Sequence, residues 1–339
     1  MTSPPDPSFE TPYSLRWPFS IDADIIGSAN EQALTERALF DVIAALGASV
    51  PAPPPSGLRA ATLRAAAARR GPRTRPGADE VTFSPVDGYE TAVRSLCAFV
   101  ATITDWDRPA VNGFDVHGLV AHLGAVETWF GSTLGAGAFM APPGVSAADH
   151  LGFTGPLARL LRALAPSETV EAFVRAGSAT VAALRVADLS EITSFYELTA
   201  PRGAIVVARM FELWTHEEDL RRATGQPLNP PPPSSLGLMT VLGVAALPQA
   251  VALSGSTDCR TIEITLTGPG AGHWLQALDG SEGSGEPEAH LICDATDFCR
   301  VVADRCDPYE LLDRPSTIVN GDRDLAELVL CCERRLASD

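Results

Sequence analysis

FELWTHEEDLRRATG, residues 211–225, places three potential metal-binding side chains on one face of a predicted helix. Glu212 and His216 are four residues apart and Asp219 follows three residues later, so the three side chains lie on adjacent turns. The first two can bind one ion together, but a further ligand must come from elsewhere, and the best candidate is His122. Two imidazoles and one carboxylate leave a coordination position open, which is typical of catalytic rather than structural zinc sites.

This helix is the last of a series of amphipathic helices. Apolar residues recur at helical spacing over residues 88–103, 115–130, 154–164, 167–187 and 201–225. Asp87, Asp115 and Ser167 are the expected N-caps of three of them, and Pro201 and Gly225 frame the last. The pattern predicts an up-down bundle of four main helices.

A proline-rich stretch, QPLNPPPPSS at residues 226–235, predicts the boundary to a second unit. An apolar helix is expected over residues 236–253. The hydrophobic period then changes to two, which predicts strands, and two further helices follow. The expected strands are residues 261–267, 273–278 and 289–293, and the expected helices are residues 294–305 and 322–334. The fold class is therefore α+β, with a bundle at residues 81–228 and a small α+β domain at residues 229–339.

Residues 1–80 form a predicted N-terminal extension and linker. Helices are expected over residues 29–46 and 58–70, separated by a proline-rich break. No histidine or cysteine occurs in this extension, so it contributes nothing to a metal site.

Composition limits the partners. The 42 acidic residues against 25 basic ones give a formal charge of −17, which argues against nucleic acid as a partner. Seven cysteines without a CxxC pair or a signal peptide predict a reduced, cytoplasmic protein. No uninterrupted apolar run is expected to span a membrane.

Several charged or polar residues have two interpretations. Asp219 either orients His216 or lies on a solvated face beside Glu217 and Glu218. Arg305 and Arg300 either bind an acidic substrate group or form surface ion pairs. The remaining histidines lack ligand-like spacing and are expected to be ordinary residues: His117, His150, His273 and His290.

Three stretches resemble the mycothiol-dependent maleylpyruvate isomerase family. They are FDVHGLVAHLGAVE, FELWTHEEDLRRATGQP, and the tail from ITLTGPGAGHWLQAL to NGDRDLAELVL. The resemblance implies a DinB-like metal-binding bundle, a sterol-carrier-like C-terminal domain, and metal ligands at His122, Glu212 and His216. Asp219 matches an aspartate of the family's HxxDL pattern. The extension is similar to part of an anti-sigma domain.

The function implied by this resemblance is thiol-dependent chemistry at a metal centre. Zinc, or another divalent metal, and mycothiol are the expected cofactors, and a small electrophilic acid of the maleylpyruvate type is the expected substrate. The chain is then an isomerase or S-transferase, with Asp219 and Arg305 as the candidate catalytic residues. The alternative is a metal-stabilised binding or regulatory protein whose extension contacts a protein partner.

Overall fold

The structure is a computed structural model that describes residues 15–16, 84–136, 149–195, 198–256, 258–281 and 286–333. The two helices expected within residues 29–70 lie outside the described residues. From the extension, the structure describes only strand β1, Leu15–Arg16. This strand pairs in parallel with a strand at residues 198–201, described below.

The first unit consists of five helices. They are α1 Pro85–Val100, α2 Val116–Thr133, α3 His150–Arg162, α4 Pro166–Leu184 and α5 Arg202–Thr224. Helix α1 packs on α5, and α2 packs on α4 and α3. The interfaces are filled by fully buried apolar side chains, among them Leu96, Leu119, Leu123 and Phe173. The predicted helices are therefore present, with the short α3 packed against α2.

The helix ends confirm some of the expected caps and correct others. The Asp115 side chain accepts a hydrogen bond from the Gly118 amide at 2.6 Å, as predicted for the start of α2. Helix α1 is capped by Ser84 and not by Asp87, because Pro85 supplies the first helical residue and starts the helix earlier. Helix α4 likewise begins at a proline, one residue before the predicted Ser167 cap.

Two short strands between α4 and α5 were not predicted. Strands β2, Ile192–Phe195, and β3, Leu198–Pro201, pair antiparallel, and β3 also pairs with β1. The second strand leads directly into α5, whose first residue follows Pro201. The helix ends at Gly225, which has the predicted left-handed conformation with φ of 68°.

The second unit is a four-stranded sheet with helices. It contains α6 Pro233–Leu253, β4 Thr261–Thr267, β5 Gly272–Ala277, β6 Ala289–Asp294, α7 Ala295–Val302, α8 Pro308–Leu312, β7 Ile318–Gly321 and α9 Arg323–Glu333. The strand order is β5-β4-β6-β7, in which only β4 and β6 are parallel. Ile262, Ile264 and Leu266 fill one buried face of β4, while α6, α7 and α9 pack against one another. The α+β class is confirmed.

Two expectations about this unit are wrong in detail. Helix α7 ends at Val302, not at residue 305, because Asp304 adopts φ of 54° and leaves the helical region. Helix α6 is long and apolar enough, by length and composition, to cross a membrane, which contradicts the expectation that no such segment exists. Of its most apolar window, 56% is buried inside the protein, since α6 packs against α9 and α7.

Candidate metal centre

The centre is built on α5, which is buried over most of its circumference. Its buried residues include not only apolar ones but a run of charged ones: Arg209, His216, Glu217, Glu218 and Asp219. Charged side chains are buried at a large desolvation cost unless they are paired or bind an ion. Each of them therefore requires a partner.

His122, Glu212 and His216 converge as predicted. One ligand atom from each lies within 4.8 Å of the others, which is close enough to share one metal ion. The two imidazole rings are 6.0 Å apart between centroids and nearly perpendicular. His122 comes from the middle of α2 and the other two residues from α5, so the packing of these helices creates the site.

His216 is oriented by the carboxylate that follows it. Its Nδ1 lies 3.2 Å from Oδ2 of Asp219, which leaves Nε2 as the nitrogen for an ion. Asp219 is only 7% exposed, so it is not on a solvated face. Burial raises the pKa of Asp219, but hydrogen bonds from His216 and Arg305 outweigh it, and the pKa lies below its usual value. Asp219 is therefore ionised at neutral pH.

Arg305 reaches Asp219 from the second unit. Its Nε donates to Oδ1 at 2.9 Å, and its Nη2 donates to Oδ2 at 2.8 Å, a two-pronged pair. Its Nη1 donates to the carbonyl of Ala303 at 2.8 Å. A residue of the α+β unit thus holds the carboxylate that orients a histidine of the helical unit.

Glu212 is positioned by a neighbour that the sequence argument did not identify. Arg209, one turn earlier on α5, forms an ion pair through Nη1 with Oε2 of Glu212. The same guanidinium donates from Nη2 to Oε2 of Glu127 on α2 at 3.0 Å, and Tyr89 of α1 donates to the other oxygen of Glu127. Burial raises the pKa of Glu212, but contacts with Arg209, His216 and His122 together outweigh burial, and the pKa is lowered. The signal in the sequence was a lone charge inside each of two apolar runs, VETWF and VVARMF.

His122 is packed against an aromatic ring. The Phe114 ring lies 5.3 Å from the imidazole of His122, just before the Asp115 cap of α2. A second histidine, His150, interacts with Glu212. Burial lowers the pKa of His150, and the negative charge of Glu212 partly offsets this by raising it. His150, expected to be ordinary, therefore lies within electrostatic reach of the centre.

Glu217 and Glu218, the neighbours of Asp219, do not lie on a solvated face. They are 4% and 1% exposed, since the second unit and the end of α5 cover them. Arg300 donates to both oxygens of Glu218, at 3.1 and 2.7 Å, and Arg221 donates from Nε to Glu217 at 2.8 Å. Arg300 therefore joins the two units in a buried ion pair rather than a surface one.

A cavity of about 420 Å³ lies where the two units meet. It is bounded by the loop before α2, the end of α5 and the chain after α7. Asp219, Arg222 and Arg305 supply charged groups to its wall, and Cys306 supplies a buried thiol. Its volume lies within the range that holds small organic ligands.

Two histidines on strands of the second unit, His273 and His290, form a polar cluster with Glu263. Nε2 of His273 lies 2.7 Å from Glu263, and Nδ1 of His290 lies 3.4 Å from the other oxygen of the same carboxylate. Nε2 of His290 contacts the Thr265 hydroxyl at 2.8 Å. These contacts join three neighbouring strands, as cross-strand pairs do.

Known proteins resemble this chain in the part that carries the centre. Residues 89–221 match the family model described as the mycothiol maleylpyruvate isomerase N-terminal domain. A crystal structure of mycothiol-dependent maleylpyruvate isomerase gives a TM-score of 0.48 at 13% identity, covering 70% of this chain and 92% of that chain. A histidine-to-alanine mutant of that isomerase gives 0.47 at 13% identity, covering 65% and 88%. No curated protein matches. The matched segment contains His122, Glu212, His216 and Asp219.

Proposed function

We propose that this chain is a zinc-dependent enzyme that uses a small thiol, mycothiol, as its cofactor, because residues 89–221 match the family model described as the mycothiol maleylpyruvate isomerase N-terminal domain. The proposed reaction is isomerisation or S-transfer on a small electrophilic acid of the maleylpyruvate type. The proposed domains are a metal-binding bundle at residues 81–228 and a sterol-carrier-like domain at residues 229–339.

The convergence of His122, Glu212 and His216 within 4.8 Å carries the proposal. The donor set fits zinc, because imidazole and carboxylate are common zinc ligands and three of them match the catalytic type. Zinc, when bound, supplies Lewis acidity that lowers the pKa of a thiol. No cysteine of the chain belongs to the set, which fits a thiol supplied by a small molecule.

The charges of the surrounding side chains favour an anionic thiol. The charges of Asp219 and Arg305 cancel one another, as do those of Glu127 and Arg209. The single negative charge of Glu212 then faces the two positive charges of a divalent ion. The centre then retains one positive charge in a partly buried setting. Because unbalanced charge is costly there, a thiolate is preferred to a neutral thiol.

The chain's residues have distinct roles in this proposal. Asp219 accepts the Nδ1 proton of His216 and so fixes the tautomer that presents Nε2. Arg305 holds Asp219 and also lines the cavity, where its charge favours an acidic substrate. Arg222, 39% exposed in its side chain, adds a second guanidinium to the same wall.

The chemistry needs only the thiol and the substrate. For isomerisation, the thiolate sulfur forms a bond to one carbon of the conjugated double bond, and the electron pair moves into the adjacent carbonyl. Rotation about the resulting single bond follows. The electron pair then returns, the carbon–sulfur bond breaks, and the thiolate is regenerated. In S-transfer the carbon–sulfur bond is kept and a proton is taken up.

Localisation and partners follow from this assignment. A low-molecular-weight thiol kept reduced implies the cytoplasm, and the substrate and cofactor are small molecules. The seven cysteines of the described structure are all free thiols, in keeping with a reducing compartment.

Metal analysis combined with thiol consumption tests the proposal. Purified wild-type protein should contain one zinc ion per chain, and His216→Ala should contain none. The wild type should also consume mycothiol or isomerise maleylpyruvate only when zinc is bound. Stoichiometric zinc that persists in a variant lacking all three ligand side chains would refute the site. Metal binding without any thiol-dependent turnover would favour the binding-protein alternative.

A further inference from the structure

A chain of polar side chains crosses the helical bundle behind the metal centre. Tyr89 of α1 donates to Glu127 of α2, Glu127 binds Arg209 of α5, and Arg209 binds Glu212. The first three of these residues are completely buried, each with 0% exposure. The Glu212 side chain alone is partly exposed, at 21%. The chain therefore begins in the core and ends at a metal ligand.

The charges show that this chain is more than a core ion pair. Glu127 alone neutralises Arg209, and the Tyr89 hydroxyl supplies a hydrogen bond to that carboxylate. Glu212 adds a second negative charge to a guanidinium that is already balanced. An excess carboxylate at a buried site raises the folding cost unless a cation arrives. A cation bound beside Glu212 would balance this second negative charge.

The contacts assign a different task to each oxygen of Glu212. Arg209 contacts Oε2, which leaves Oε1 available to an ion. The guanidinium is a rigid fork, and its other arm is fixed by Glu127 at 3.0 Å. The guanidinium of Arg209 therefore sets the position of the Glu212 carboxylate and the number of its oxygens that are available to an ion.

We propose that Arg209 is a positioning residue for the metal centre. It holds one oxygen of Glu212 so that the carboxylate binds the ion through the other oxygen only, which keeps a coordination position open for an external ligand. Tyr89 and Glu127 hold Arg209 in turn. This inference rests on the proposed metal site, but not on the identity of the thiol or the substrate.

The test uses cobalt(II) bound to the metal-free full-length protein, because its visible absorption reports the coordination number. Four-coordinate cobalt(II) absorbs more strongly than five- or six-coordinate cobalt(II). The main variant is the double substitution Glu127→Gln with Arg209→Met. It removes one positive and one negative charge together, so the net charge near the ion stays the same and no buried charge is stranded. A change in affinity then reports positioning.

The double variant should bind cobalt(II) about 10- to 100-fold more weakly than wild type, the usual effect of losing an outer partner of a ligand. Its visible absorption should also weaken, because both oxygens of Glu212 become available. Arg209→Lys keeps the charge but not the fork, and should fall between wild type and the double variant. Arg221→Met is the matched control. It removes an arginine of the same helix that pairs with Glu217, and should keep wild-type binding.

The outcomes separate this inference from the proposed function. Wild-type binding that depends on His122 and His216, together with the predicted loss in the double variant, supports both. If wild type binds but the double variant, still showing a cooperative thermal transition, keeps wild-type affinity and absorption, the role of Arg209 is overturned and the site stands. An equal loss in Arg221→Met also overturns it. Wild-type protein without cobalt(II) binding overturns both.

Discussion

The contact between Asp219 and His216 leads to a test that separates metal binding from folding. Replacing Asp219 by Asn keeps the shape of the side chain but removes its charge. The Nδ1 hydrogen bond of His216, 3.2 Å long, becomes a neutral one, and the pair with Arg305 loses its ionic character. We expect two separate effects, one on zinc affinity and one on stability.

The size of each effect follows from the contacts. Loss of an outer partner of a metal ligand weakens binding about 10- to 100-fold, which is about 1.4 to 2.8 kcal/mol. Asp219 and Arg305 are 6% and 13% exposed in their side chains, so solvent screens the lost attraction little. Because Asn still offers an oxygen to the guanidinium, the loss in unfolding free energy should be about 1–3 kcal/mol.

Two measurements distinguish these effects. Zinc affinity is measured by competition with a chromophoric chelator, and stability by urea denaturation of the metal-free protein. Glu217→Gln is the matched control, since Glu217 is equally buried, pairs with Arg221 on the same helix, and is not one of the converging ligands. It should lose stability but keep zinc affinity. Full zinc affinity in Asp219→Asn, with a loss in Glu217→Gln, would refute the assigned role of Asp219.

Three further predictions follow from other parts of the molecule. Burial and Arg162 lower the pKa of His117, so the folded state binds fewer protons and stability should decrease as pH falls below about 6.5; His117→Asn should flatten this dependence in urea melts at several pH values. Gly321→Ala should lower the unfolding free energy by about 1–3 kcal/mol, because φ is 84° and the new Cβ would lie 2.3 Å from the Glu288 carbonyl; a thermal melt checks this. Removing residues 1–80 should leave the zinc stoichiometry unchanged, although it deletes strand β1. Metal analysis and circular dichroism measure this, and a loss of zinc and of helicity would show that the extension belongs to the bundle core.

The residues of the centre that could be predicted are those whose spacing along one helix brings them together. Glu212, His216 and Asp219 lie on one helix, and helical geometry alone places them together. His122 was identified with the help of the family resemblance, since a single histidine on an apolar helix face has no spacing signal. In the structure, a ligand atom of His122 lies within 4.8 Å of ligand atoms of Glu212 and His216.

The contacts that could not be predicted depend on the packing of separate elements. Arg209 and Glu127 are 82 residues apart, and their pairing requires α2 and α5 to be adjacent. The burial of Glu217 and Glu218 could not be predicted, because the sequence cannot show that the second unit covers them. Strands β2, β3 and β7 have four residues each, too few to show a period without their partner strands.

The two units are joined through residues of the candidate metal centre. Arg305 of the second unit fixes Asp219, Asp219 fixes His216, and Arg300 binds Glu218 one residue before Asp219. Movement of the second unit would therefore change the orientation of His216, a proposed metal ligand, since no other described hydrogen bond holds its ring at Nδ1. The cavity lies at this junction, with Asp219 and Arg305 both in its wall. A molecule bound there touches the residues that orient His216, so binding in the cavity and the geometry of the centre are physically coupled.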